Sequence, residues 1–325
     1  MIDLRKQSRL FAAAAVLALA ACQSPKPEFS GNPLFQDPLT ADPCALVYND
    51  TMYLFTGSDE IPPGEDGFRM TKWYAFSSPD MAHWTNQGVK LTVDDFDWAS
   101  HNAFAGHVVE NHGKFWWYVP MVLKDTTAIT HEGFGIGVAV ADHPLGPYKD
   151  ALGGPIICDT TQNAIVLNID PAVYVDDDGQ VYMYWGSWNE ARYVKLKENM
   201  IETDGPVQTV DAKNFFEAPW IHKKGDTYYF SYAAHYPSTT EYSSSKSITG
   251  PWEYQGVIND TIANSPTNHQ AIISFKGQDY IFYHNADTPT GGPFRRSVCV
   301  DSLNYDANGK ILKVARTKTG VPAVR

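Results

Sequence analysis

Asp178-Gly179-Gln180-Val181-Tyr182-Met183-Tyr184 decides the fold: turn residues suited to unusual backbone angles lead into an alternating, aromatic-rich run, which reads as a β-hairpin. The pattern recurs on both sides. It appears earlier as Asn49-Asp50-Thr51-Met52-Tyr53-Leu54-Phe55 and as His112-Gly113-Lys114-Phe115-Trp116-Trp117-Tyr118. It returns later as Gly225-Asp226-Thr227-Tyr228-Tyr229-Phe230 and as Gly277-Gln278-Asp279-Tyr280-Ile281-Phe282-Tyr283. A second element follows each hairpin: Trp73 to Ser78, Gly137 to Ala141, Arg192 to Leu196, Glu241 to Ser245 and Ser297 to Leu303. Five such units, each of about four short strands, predict an all-β chain forming a five-bladed β-propeller over residues 32–325. Five unrelated hairpins in a sandwich are the competing reading, and the trailing element argues against it.

Composition agrees. Aromatic residues make up 13% of the chain and Gly and Pro are frequent, at 24 and 21 residues, which favours strands and turns over helices. A net charge of −12 argues against nucleic acid, whose phosphates require a basic surface.

The first residues are read as a targeting segment. Arg5, Lys6 and Arg9 precede an apolar run from Leu10 to Ala21 that is too short to span a bilayer, and Leu19-Ala20-Ala21-Cys22 resembles a bacterial lipoprotein signal. Residues 1–22 would then be the signal with Cys22 the lipidated residue, and residues 23–31 a tether. The expected product is an exported monomer in the periplasm or at the cell surface, touching membrane through its lipid alone, with outer-membrane placement preferred. Cys44, Cys158 and Cys299 lack metal-type spacing and read as free thiols, one disulfide among them being left open.

In a propeller the innermost strands face a common axis, so acids at equivalent positions of different blades converge. Three acids share one local frame, an acid followed by small or Pro residues and then an apolar strand. They are Asp42 in Ala41-Asp42-Pro43-Cys44, Asp170 in Asn168-Ile169-Asp170-Pro171-Ala172, and Glu217 in Phe216-Glu217-Ala218-Pro219-Trp220. Asp37-Pro38 lies outside this frame and reads as a turn. Asp176-Asp177-Asp178-Gly179 looks like a calcium loop but lacks the Glu that should follow, and reads as a hairpin turn.

With these three motifs in order, and an ending that contains Phe294-Arg295-Arg296-Ser297-Val298, the sequence resembles glycoside hydrolase family 43 from about Asn32 onward. The resemblance implies an inverting hydrolase with Asp42 as general base, Glu217 as general acid and Asp170 raising the acid's pKa and orienting it. It makes Arg296 a sugar-binding arginine, and His269 an axial residue beside a structural calcium ion held through water. No cofactor is needed for the chemistry. Phe104, Trp220 and Trp73 are expected to line the sugar pocket. Asn102-Ala103-Phe104-Ala105-Gly106-His107 stands where many relatives read Ala-Trp-Ala-Pro, with Phe104 keeping an aromatic. The implied activity is release of terminal α-L-arabinofuranose from arabinoxylan or arabinan. The alternatives are a β-xylosidase acting on xylo-oligosaccharides and, in another class, a non-catalytic glycan-binding propeller.

Overall fold

The computed structural model describes residues 28–125, 127 and 133–325. The signal segment with Cys22, and residues 23–27 of the tether, lie outside the described residues. Five antiparallel sheets follow one another along the chain. The first holds β1 (Thr40–Tyr48), β2 (Thr51–Ser58), β3 (Lys72–Ser78) and β4 (Thr85–Thr92). The second holds β5 (Ala99–His101), β6 (His107–Asn111), β7 (Lys114–Leu123), β8 (Phe134–Ala141) and β9 (Lys149–Asp150). The third holds β10 (Ala172–Val175), β11 (Val181–Ser187), β12 (Glu190–Leu196) and β13 (Gln208–Val210). The fourth holds β14 (Phe215–Lys224), β15 (Thr227–Ala234), β16 (Thr239–Ser245) and β17 (Glu253–Asn259), and the fifth β18 (Ala271–Phe275), β19 (Gln278–Asn285) and β20 (Ser297–Leu303). This is the five-bladed propeller that the repeat predicts.

Aromatic residues of the repeated hairpins fill the seams between blades. Trp117 packs edge-on against Phe55, with ring centroids 5.0 Å apart, where the first two blades meet. Tyr184 lies 5.6 Å from Phe230 between the third and fourth. Burial of such side chains is the main force holding neighbouring blades together.

A propeller must also close, and the fifth sheet has three strands of its own. The N-terminal segment completes it. Leu34 N–H donates to Val298 O at 2.7 Å, and the Asn32 side chain pairs with both main-chain groups of Val300 at 2.9 Å, acting as a substitute peptide along the free edge of β20. Ser30 N and Gly31 N donate to Val321 O and Thr319 O, each at 2.9 Å, so the first and last described segments meet on this blade. Of the residues expected as a tether, 23–31, those from 29 to 31 make contacts of their own. Phe29, Ser30 and Gly31 are bound into the fold by the C-terminal segment, Phe29 bridging Pro322 and the other two bonding Val321 and Thr319. Cys44, Cys158 and Cys299 are all free thiols, which resolves the open disulfide.

Candidate active site

The acid-then-Pro frame has a backbone meaning. In β1, Ala41 pairs with Gly57 and Cys44 with Phe55, so Asp42 and Pro43 together oppose Thr56 alone. In β14, Glu217 pairs with Ala233 and Trp220 with Ser231, leaving Ala218 and Pro219 opposite Tyr232. Both are β-bulges, and Pro suits the position because a bulged residue has no ladder bond to give. Backbone angles confirm the distortion: φ is 55° at Asp42, 57° at Asp170 and 57° at Ala218. L-residues hold this left-handed conformation at a cost, and such strain concentrates at functional sites. Its effect here is to turn Asp42, Asp170 and Glu217 into one axial cavity of about 640 Å³.

Asp42 and Arg296 form the anchored side. The Arg296 guanidinium donates to Asp42 Oδ1 at 3.0 Å and, more loosely, to Oδ2 at 3.5 Å. Asp42 N–H points at His284 Nδ1, 3.4 Å away, and His284 Nε2 lies 3.1 Å from Thr267 O. That pattern requires the neutral imidazole with its proton on Nε2. Burial and the Arg296 charge likewise keep His284 well below its ordinary pKa.

Asp170 and Glu217 form the second side. The Ala218 peptide is held at both ends, its N–H donating to Asp170 Oδ2 at 3.1 Å and its carbonyl accepting from Gln270 Nε2 at 2.8 Å. The Ser187 hydroxyl lies 3.4 Å from Glu217 Oε2. His269 sits between the two sides, with Nδ1 3.9 Å from Asp42 Oδ1 and 4.0 Å from Asp170 Oδ2. Those gaps exceed a direct hydrogen bond and suit intervening water.

Burial raises all three carboxyls, but unequally. Asp42 is pushed up by burial and pulled back by its contact with Arg296. Glu217 has no such contact, and burial together with the Asp42 charge lifts it to about 7. Asp170 rises well above the usual range through burial and repulsion from Glu217 and Asp42. Asp170 and Glu217 are therefore a pair that holds a proton near neutral pH, while Asp42, which touches the cation, ionises first. His269 is driven down to about 3 by burial and Arg296, so it is a neutral ring.

Not every expected residue lines the cavity. Phe104 does, within an aromatic wall in which it stacks on Phe134 at 5.0 Å and Phe68 meets Phe294 at 4.6 Å. Trp73 does not. It lies on β3, two strands out from the axis, and its indole N–H holds Phe104 O at 2.8 Å from behind. Trp220 does not either. At about 3.3 Å per strand residue it stands roughly 10 Å below Glu217 along the axis. There it packs against His107 and lines a separate cavity at the far end. Arg296 lines the cavity, as expected of a sugar-binding residue, but its donors are engaged within the protein. Its N–H groups go to Asp42, Asp59 and Thr267. Sequence reading missed Asp59, His284, Ser187 and Trp188, of which only Trp188, an aromatic in a turn, carried any signal. The loop at residues 58–70 does reach the site through Phe68 and Met70. The segment 123–134 contributes Phe134, and residues 126 and 128–132 within it lie outside the described residues.

Calcium prefers six to eight oxygen ligands. Among the described residues no group of three or more His, Cys, Asp and Glu side chains converges on a metal position. Asp42 faces Arg296, and His269 offers one ring nitrogen. The residues do not fit a calcium ion held by the protein itself, and no chemical step is routed through one.

An axial pocket with one carboxylate held against a cation and a second carboxyl pair holding a proton defines an acid–base hydrolase site. The profile of the glycosyl hydrolases family 43 matches residues 31–311, and the chain belongs to that family. An arabinoxylan arabinofuranohydrolase of Bacillus subtilis is 29% identical over 91% of this chain, which spans 66% of that protein's length. A xylosidase/arabinosidase of Bacteroides ovatus is 32% identical, with 84% of this chain and 94% of the relative covered. Among solved structures, an α-L-arabinofuranosidase from Clostridium thermocellum superposes with a TM-score of 0.74 at 36% identity, covering 89% of this chain and 98% of the other. A family 43 β-xylosidase/α-arabinofuranosidase from a compost metagenome, solved with xylotriose in a calcium-free form, gives 0.78 at 28% identity, covering 89% and 98%. The protein is a glycoside hydrolase, and it needs no cofactor for its chemistry.

The raised Glu217 makes a thermodynamic prediction. An unfolded glutamate releases its proton near 4.5, whereas the folded one keeps it until about 7. Between those values the folded state binds the extra proton, so stability falls as pH rises through the window. Glu217→Gln should therefore raise the melting temperature at pH 8, by at most about 3 kcal/mol of stability, with the gap closing at pH 5. Melting curves at the two pH values check this. Equal differences at both would show that Glu217 is not the group holding the proton.

Proposed function

We propose that the protein is an exo-acting, inverting α-L-arabinofuranosidase that removes terminal arabinofuranose from arabinoxylan or arabinan. The observation that carries the mechanism is the asymmetry across one cavity, with Asp42 bonded to Arg296 and Glu217 carrying a proton near neutral pH. In this reading Asp42 accepts a proton from water as the water oxygen bonds to the anomeric carbon. The glycosidic bond breaks, and the leaving oxygen takes the proton of Glu217. Asp170 shares the proton-holding role with Glu217 and orients it through the Ala218 peptide, while burial and the Asp42 charge keep Glu217 protonated. The choice of arabinose is supported by the names of the Bacillus subtilis and Clostridium thermocellum proteins. β-Xylosidase is the second reading, supported by the metagenomic enzyme and the Bacteroides ovatus relative.

The leaving group must lie beside the acid, and the residues there are aromatic. Trp188, 48% exposed, follows Ser187 directly, and Tyr236, 57% exposed, packs on Phe216 at 5.6 Å next to Glu217. Trp188 is held at φ 49° in the β11–β12 turn, a strained conformation that keeps a large apolar ring facing water. These two rings suit the sugars of a polymer backbone on the leaving side. We further propose export and anchoring through a lipidated Cys22, supported by the charged, apolar and small-residue order of the preceding sequence.

Three measurements test this. A soluble form lacking residues 1–22 should hydrolyse chromogenic α-L-arabinofuranoside with inversion by NMR, and Glu217→Gln should lose at least about a hundredfold in kcat. Preference for the β-xyloside would promote the second reading, and no turnover of either sugar or polymer would favour a glycan-binding role. The double variant Trp188→Ala/Tyr236→Ala should lose about tenfold or more in kcat/KM on arabinoxylan yet keep turnover of the chromogenic substrate. Equal losses on both would place these rings elsewhere in the mechanism. In cells, Cys22→Ser should move the protein from the membrane fraction to the soluble one, and persistence in membranes would argue against the lipid.

A further inference from the structure

An arginine side chain has five N–H donors in a rigid fork. In Arg296 all five find partners inside the protein. Nε and Nη2 donate to the two oxygens of Asp59 at 2.8 and 2.9 Å, while Nη1 and Nη2 reach Asp42 at 3.0 and 3.5 Å. Nη1 also reaches Thr267 Oγ1 at 3.2 Å, and the Arg296 main-chain N–H donates to Asp59 Oδ2 at 2.7 Å. Asp59 follows directly on β2, its side chain is 1% exposed, and it is not among the residues lining the cavity. It therefore has three hydrogen bonds to Arg296 and no opening toward a substrate.

We propose that Asp59 is a positioning residue for the hydrolysis: it takes the better half of the Arg296 fork, so that Asp42 is steadied by the cation but keeps the basicity to accept a proton from water. The inference rests on the reading of Asp42 as general base. Geometry carries it. Asp59 has two short, parallel contacts with the guanidinium, the strong arrangement for this pair, whereas Asp42 has one normal bond and one long one. Two carboxylates thus divide one positive charge. Around Asp42 the other facing groups are neutral His284 and His269 and the proton-holding pair Asp170 and Glu217, so Arg296 is the cation available to it. The Asp42 charge in turn pushes Asp59 upward against the pull of Arg296.

Removing the Asp59 charge while keeping its shape would leave Arg296 wholly to Asp42. Asp42 would then hold its negative charge more firmly and become a weaker base. Asp59→Asn should shift the acid limb of the kcat/KM profile to lower pH by about half a unit or more. It should also cut kcat at the plateau about three- to tenfold, with KM little changed. Asp59→Glu, which retains the charge, should keep the limb where the wild type has it. An Asp59→Asn protein that melts like the wild type and keeps the wild-type limb overturns the proposal. Failure of both variants to fold also overturns it, since Asp59 would then serve the fold. Asp42→Asn run alongside separates the two claims: if it remains active, the reading of Asp42 as base fails, whereas an inactive Asp42→Asn beside an unchanged Asp59→Asn removes the Asp59 role alone.

Discussion

One buried guanidinium sits where the ring of blades closes, and much of the molecule is arranged around its charge. Arg296 immediately precedes β20 of the last blade, and it is 2% exposed. Both of its carboxylate partners, Asp42 and Asp59, belong to the first blade. Thr40 N donates to Arg296 O at 3.0 Å, and Val298 N donates back to Thr40 Oγ1 at 3.1 Å, so main chain and side chains cross the same seam. A charge taken this far from water is tolerated when its donors are matched by acceptors. The burial that makes the cation costly also makes its field strong, and contact with it pulls Asp42 back down while Glu217, out of contact, rises to about 7. Closure of the fold and polarity of the site are therefore the same set of contacts.

The blades were legible because the hairpin turns repeat, and turns are written in local residue types such as Asp178-Gly179. The acids were legible for a related reason. Asp42-Pro43 and Ala218-Pro219 are bulges, and a bulge leaves a local signature of an acid beside a residue without an amide hydrogen. Asp59 and His284 left none. One follows the second strand of its blade and the other lies within β19, so their proximity to Asp42 arises only when blades one and five meet. Trp73 and Trp220 show the converse error. Both are aromatics close in sequence to cavity residues, but two strands out from the axis or three residues down it takes a ring out of the pocket. Arg296 was placed in the right region, yet whether its donors were free depended on Asp59, a partner more than two hundred positions away in the chain.

The cavity itself is divided by chemistry. Around Arg296 the wall is a cluster of phenylalanines, with Phe68 lying 5.4 Å from the guanidinium carbon and screening it from water. Around Glu217 the aromatics are Trp188, Phe216 and Tyr236, two of them open to solvent. A phenylalanine wall suits the apolar face of the sugar being attacked. A wet, flat side suits a leaving group that continues into polymer.

The route by which the chain enters the fold has a consequence for how such an enzyme could work at a surface. Every cavity residue stands at the start of an inner strand or in a neighbouring loop of that end, whereas β3 runs from beside Met70 at the cavity to Ser78 at the other. Glu28 joins that other end: its carboxylate meets His83 at 3.1 Å and its carbonyl accepts from Ala323 at 2.8 Å, just beyond the turn that follows β3. Residue 28, the first described, thus lies at the back of the propeller, away from the cavity mouth. The residue nearest the proposed anchor at Cys22 and the mouth of the cavity therefore stand at opposite ends of the propeller, an arrangement under which attachment at one end leaves the other open to large chains.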